Sequence, residues 1–304
     1  MARERRDVFA IRSHRPGSGV DRVYRWAREV FDPADIFVVA DQTGGKRYYW
    51  PSEYNVISIE EQFLERNALF NTGSDVGWRC GDYCYLAVDE VQDFDFLWLV
   101  EPDVVANFPL SLLLDSSGVY SADLVCSSLK RRDSSWSWHS SLEALGYADV
   151  YSVFFPLTGV SSRLVDIIRR ERMSISDKFN RGADGLYPND EAVAATVAMA
   201  NSLSVVNLKN LFPEMFSHFL WGTKWLYPDV LEKFDRPKLV HPAVEDDQYA
   251  EYLRDLVSGP GFDRKGFERL GTSMWSISPN NYPKWRAFVV EELARRVDRS
   301  VFDR

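Results

Sequence analysis

The sequence predicts an α/β fold: a mixed, mostly parallel open sheet with helices on both faces. Three observations carry this expectation. Short segments at residues 8–11, 36–40 and 94–100 are almost wholly apolar, without the polar alternation of a half-exposed strand, as in sheets covered on both sides. Segments with apolar residues at helical spacing stand between them. Polar loops containing Gly and Pro separate the two kinds of segment, giving the strand, loop, helix succession of parallel β/α units.

In chain order, the strand at 8–11 is followed by a polar loop at 13–19 and a helix at 20–31, whose apolar positions are Val20, Val23, Tyr24, Ala27, Val30 and Phe31. Asp32-Pro33 ends that helix, and the strand at 36–40 stops at Asp41 ahead of Gly44-Gly45. A strand at 55–59, helices from Glu60 and over 82–92, and a strand at 94–100 follow. Short elements are expected at 109–114 (helix), 123–129 (strand) and 151–155 (strand), the last leading through Gly159 into a helix at 160–170. Pro188-Asn-Asp-Glu191 opens a helix at 192–202, with acids suited to the positive end of its dipole, and 205–208 reads as a strand. Beyond it the chain reads as irregular until an amphipathic helix at 285–297. The expected partition is one α/β domain at 1–245 and a C-terminal extension at 246–304.

The chain has 45 Asp and Glu against 36 Lys and Arg, and this net charge of −9 excludes a nucleic-acid binder, whose affinity rests on neutralising phosphates. The apolar runs at 96–100 and 150–157 are far short of the roughly 20 residues of a membrane-spanning helix. The charged start of the chain lacks the apolar stretch of a signal peptide. A cytoplasmic protein is expected, with at most peripheral contact at the inner membrane face. Cys80, Cys84 and Cys126 form neither a CxxC pair nor a zinc-ribbon spacing, so reduced, buried thiols are expected.

In open α/β sheets ligands bind at the carboxyl ends of the strands. Those ends are polar here: Arg12, Ser13, His14 and Arg15 after the first strand, Asp41 and Gln42 after the second, Glu101 and Asp103 after the fourth. Glu101-Pro102-Asp103 is the most informative, because two carboxylates flank a Pro of fixed φ directly after a buried strand. Mg²⁺ and Mn²⁺ commonly sit between such carboxylates and the phosphates of a substrate. The competing reading is a solvated turn. The loop Ser134-Ser-Trp-Ser-Trp-His-Ser-Ser141 is too polar for a core. Its Trp136, Trp138 and His139 suit an acceptor sugar, whose apolar face a flat ring covers.

This arrangement resembles the nucleotide-diphospho-sugar transferases, glycosyltransferases of the GT-A fold, whose D-x-D signature follows an apolar strand. Glu101-Pro102-Asp103 stands in its place, similar to the E-P-D of fungal α-mannosyltransferases. The resemblance implies that Asp103 binds Mn²⁺ or Mg²⁺, and Lys238-Leu-Val-His-Pro242 resembles the late strand that delivers a metal-binding His, here His241. It further implies nucleotide contacts from Ser13, His14, Arg15, Asp41, Arg79, Asp82 and Glu101. Asp190-Glu191 resembles the late acidic pair of inverting members, which supplies a catalytic base. The implied activity is sugar transfer from a nucleoside-diphosphate sugar to a hydroxyl of a glycan or lipid-linked glycan, as in bacterial surface polysaccharide synthesis.

Two other readings remain. Gly17-Ser-Gly19 followed by Asp41 partly matches the dinucleotide-binding fingerprint of an oxidoreductase, although Arg22 stands where its third glycine belongs. A non-catalytic sugar- or nucleotide-binding protein of the same fold is the other. Neither GxxxxGK[ST] nor GxSxG occurs, which removes P-loop NTPases and serine hydrolases.

Overall fold

Continuous apolar strands need cover on both faces, and that requirement organises the N-terminal two thirds of the chain. In the computed structural model, residues 5–302 are described except 46, 74–75, 117 and 260–261, with backbone alone at 297–302. Strands β1 (Asp7–Ser13), β2 (Ile36–Asp41), β3 (Asn55–Ile59), β4 (Phe96–Val100), β5 (Leu124–Arg132), β6 (Val150–Ser161) and β7 (Val205–Asn207) form one open sheet. Their order is β3-β2-β1-β4-β6-β5-β7. Every neighbouring pair is parallel except the two made by β6, which runs against β4 and β5. The α/β class and the mixed, mostly parallel sheet are therefore as the sequence predicts.

The helices of this region are α1 (Ser18–Ala27), α2 (Glu61–Arg66), α3 (Val76–Arg79), α4 (Tyr83–Asp89), α5 (Ser111–Leu114), α6 (His139–Glu143), α7 (Ser162–Asn180) and α8 (Asp190–Ala200). Val8, Ala10, Phe37, Val39, Leu97 and Leu99 share one core with buried residues of α2, α4, α7 and α8. On the opposite face Phe9 packs its ring against Phe31 at 5.5 Å, and α1 buries Val20, Val23 and Trp26. Cys80, Cys84 and Cys126 are buried free thiols, as expected.

The chain divides into two compact units, one of residues 1–102 and 109–213, the other of 103–108 and 214–304. This differs from the expected partition at residue 245. The reason is backbone pairing: after Pro102 the chain leaves the sheet, and Val105–Ala106 pairs antiparallel with the strand Leu239–His241, which pairs in turn with His218–Phe219. Ala243 N–H also donates to the Asp103 carbonyl at 2.8 Å. Nor is the C-terminal stretch irregular. Helices Asp246–Ser258, Arg264–Trp275 and Tyr282–Phe302 gather Tyr249, Leu253, Val257, Leu270 and Trp285 into a core of the second unit, with Tyr249 edge-on to Trp285 at 4.9 Å. Among the described residues no helix is long and apolar enough to cross a membrane.

One helix differs in its start and length from its expectation. The helix expected at 160–170 begins only at Ser162, whose predecessor Ser161 caps it by accepting from Leu164 N–H at 3.2 Å, and it continues to Asn180. Gly159 is no helix-opening break; it pairs with Trp98 across β4 and β6. A Cβ there would stand 2.5 Å from Phe96 Cε1 and 2.8 Å from its Cζ. Gly159→Ala is expected to lower stability by about 1–3 kcal/mol through overpacking, read from the urea midpoint at unchanged native circular dichroism.

Candidate functional site

Because β1 is parallel to both β2 and β4, Arg12, Asp41 and Glu101 emerge at the same edge of the sheet. Arg12 is the hub of that edge and is itself buried. Its Nη1 donates to Glu101 Oε1 and to Asp190 Oδ2, both at 3.0 Å. Its Nε donates to the Gly77 carbonyl at 2.7 Å and its Nη2 to the Trp78 carbonyl at 2.8 Å. Burial opposes the guanidinium charge, but Asp190 and Glu101 more than offset it and hold Arg12 protonated.

The segment from Gly77 in α3 to Gly81 is strapped from the other side as well. Gly77 N–H donates to Asp41 Oδ2 and Gly81 N–H to Asp190 Oδ2, each at 2.9 Å. Both positions require glycine, since a Cβ on Gly77 would collide with the Asp41 carboxylate and one on Gly81 with the Arg12 guanidinium and Asp190. Asp41 Oδ1 meanwhile accepts from Thr43 N–H at 3.0 Å and Thr43 Oγ1 at 2.7 Å. Ser13 is buried and its hydroxyl donates to the Arg15 carbonyl at 2.8 Å, closing the loop that leaves His14 and Arg15 exposed.

The two acids at the start of α8 are sorted by their surroundings. Asn189 caps the helix, accepting from Ala192 N–H at 3.1 Å. Asp190 is buried with both oxygens engaged, Oδ2 by Arg12 and Gly81 and Oδ1 by Glu191 N–H at 2.8 Å. Burial pushes its carboxyl up to about 7 against the pull of Arg12. Glu191 is less enclosed, and burial together with the neighbouring Asp190 pushes it up to about 8.

Arg79 is drawn into the same region, its guanidinium lying 5.4 Å from the Trp138 ring. Trp136 sits under Arg132 at 4.9 Å, and His139 Nδ1 lies 3.8 Å from Glu143. Trp136 and Trp138 pack partly against the main core, so their loop is less open than its polarity suggests. Asp82 needs a correction: it is fully buried and makes a bidentate pair with Arg172, at 2.6 and 2.8 Å, instead of meeting a nucleotide. Arg172 falls in register with Leu164, Val165, Ile168 and Ile175 on the buried stripe of α7. A lone charge in an apolar stripe demands a buried acid, and that signal is present in the sequence.

In the second unit Asp103 and His241 face each other, with His241 Nε2 3.4 Å from Asp103 Oδ1. His241 is buried, and its Nδ1 lies 3.0 Å from the Leu220 carbonyl, which can only accept. Nδ1 therefore carries a proton, and in the neutral ring the lone pair on Nε2 points to the Asp103 side. Glu101 stands two residues before Asp103 in the chain. The strap on Gly19 also bears on the dinucleotide reading: a Cβ on Gly19 would lie 2.5 Å from the Pro102 carbonyl oxygen. That glycine serves the packing of α1 on the exit from β4.

Of the residues the sequence singles out, the structure brings Asp41, Arg79, Glu101, Asp190 and Glu191 to one edge and pairs Asp103 with His241. The residue missed is Arg12, visible among the polar strand ends but with no local sign of the acids it joins. In sequence comparison, no protein-family model and no curated protein matches this chain.

Two outcomes follow from these geometries. Asp82→Ala is expected to destabilise by about 3–5 kcal/mol, because it strands a buried guanidinium, seen as a large fall in the denaturation midpoint. Asp190 and Glu191 have folded pKa values raised from 3.8 and 4.5 to about 7 and about 8, so the stability of their protonated forms is full only below the unfolded values and is lost as pH rises from there through 7 to 8. The melting temperature should fall across that whole interval, and Glu191→Gln should reduce the fall, gaining most above the folded pKa of Glu191 and nearly matching the parent at the acid end.

Proposed function

We propose that this protein is a metal-dependent glycosyltransferase of the GT-A type, moving a sugar from a nucleoside-diphosphate sugar to a glycan hydroxyl. The observation that carries the reading is the Asp103–His241 pair. Cis donors on an octahedral Mg²⁺ at about 2.1 Å are about 3 Å apart, and the 3.4 Å between Oδ1 and Nε2 fits one cation ligated by both. The Leu220 carbonyl on Nδ1 is the outer partner that orients a metal-binding imidazole. These residues fit Mg²⁺ or Mn²⁺, with the imidazole favouring Mn²⁺. Such a cation would supply charge neutralisation for a diphosphate leaving group.

The remaining roles belong to the chain itself. Asp41, Arg79, Glu101 and the exposed His14 and Arg15 hold the nucleotide at the sheet edge, where Arg12 keeps Glu101 in place. Glu191 is the candidate base for the acceptor hydroxyl, since a carboxyl raised to about 8 accepts a proton readily near neutral pH. Asp190, with both oxygens committed, positions the start of α8. A synthesis step in a bacterial surface polysaccharide at the inner membrane face is the setting we infer for this chemistry.

The test is thermal stability against UDP, GDP, CDP, ADP and NAD, each with and without Mn²⁺. One nucleoside diphosphate should raise the melting temperature only with the metal, and Asp103→Ala and His241→Ala should each abolish that rise. Transfer activity, assayed with sugars on the responding base, should increase with pH to a plateau set by an apparent pKa near 8 and be lost in Glu191→Gln. Stabilisation by NAD without metal would replace this reading with the oxidoreductase one.

A further inference from the structure

Within the first unit lies a recess of about 350 Å³ whose walls include Phe70, Thr72, Arg79, Phe179, Leu186 and Tyr187. Its size suits one or two sugar units, at the low end for small-molecule pockets. Three rings pack on one another as one aromatic wall: Phe70 stacks on Tyr187 at 5.0 Å, and Phe179 meets Phe70 at 5.7 Å and Tyr187 at 5.2 Å. Tyr187 is buried behind the partly exposed Phe70 and Phe179, and the wall is held rigidly. Tyr187 OH is hydrogen-bonded to Tyr83 OH at 2.7 Å and Ser176 Oγ at 3.0 Å, and Ser176 Oγ accepts from Phe70 N–H at 2.9 Å.

Two walls of the recess are continuous with the catalytic candidates. Tyr187 precedes Glu191 by four residues, and the intervening Pro188 carbonyl is pinned by Arg172 Nη1 at 2.7 Å. Arg79 belongs to the segment whose Gly81 binds Asp190, and its guanidinium also stacks on Trp138. The polar wall carries an unmet demand: Thr72 Oγ1 is buried without a hydrogen-bond partner. A buried hydroxyl left unpaired is costly, and Thr72 is one of the few polar residues in the wall of the recess.

We propose that this recess is the subsite for a pyranose unit of the acceptor glycan. The exposed parts of Phe70 and Phe179 cover one apolar face of the sugar, while Thr72 meets its hydroxyl edge. The inference rests on the transfer reaction proposed above and names where its acceptor binds.

The experiment uses the full chain and a panel of methyl α- and β-glycosides of glucose, galactose, mannose, N-acetylglucosamine and glucuronic acid, followed by saturation-transfer NMR. At least one glycoside should bind; Thr72→Val should weaken it about five-fold, the loss of one hydrogen bond, and Leu186→Trp, which fills the rim, should abolish it. Neither variant should lower the melting temperature or alter its response to a nucleoside diphosphate with Mn²⁺. Binding that both variants leave unchanged, or no binding by any glycoside, would overturn the assignment. If glycoside binding follows the two variants while no nucleotide responds to metal, the transfer reading fails and the sugar subsite stands.

Discussion

The Arg12 guanidinium, buried between Glu101 and Asp190, is the interaction on which the sheet edge depends. A cation out of water is tolerated only where acids and carbonyls surround it, and here two carboxylates and two backbone carbonyls do so. The same contacts tie together β1, the exit of β4, the segment from Gly77 in α3 to Gly81 and the start of α8. Four stretches far apart in sequence thereby acquire one arrangement. The two strapped glycines are its steric counterpart, since any side chain at either would occupy the space of an acid or of Arg12 itself.

A second buried pair, Asp82 with Arg172, supports the first from behind. It is fully enclosed, and Arg172 also holds the Pro188 carbonyl just ahead of the acids of α8. Enclosure in this core is what raises the carboxyls of Asp190 and Glu191: burial acts first on both, Arg12 pulls Asp190 back, and Asp190 pushes Glu191 further up.

Much of the sheet was legible residue by residue. Fully apolar strands at 8–11 and 36–40 and the polar ends that follow them were read within a residue or two, because burial on both faces leaves no ambiguity of period. The helix at 162–180 was misplaced at its start because Gly159 reads locally as a break, whereas its small size is demanded by Phe96 and Trp98 on the neighbouring strand. Of the C-terminal helices the last was expected, at 285–297, whereas Asp246–Ser258 and Arg264–Trp275 were missed, because the core they form around Trp285 joins three segments. Asp82 read as an exposed acid at a helix start because its partner lies ninety residues away.

By itself the sequence determined the class of fold, the mostly parallel sheet, the buried reduced thiols and the edge at which the acids gather. These follow from local patterns: hydrophobic period, strand-end polarity and cysteine spacing. Only the tertiary structure decided which acids are structural and which are open to chemistry, that residues 103–108 belong with the C-terminal unit, and that His241 faces Asp103. Such distinctions depend on desolvation and on pairings between distant segments, and neither quantity is a property of any residue until the chain has closed around it.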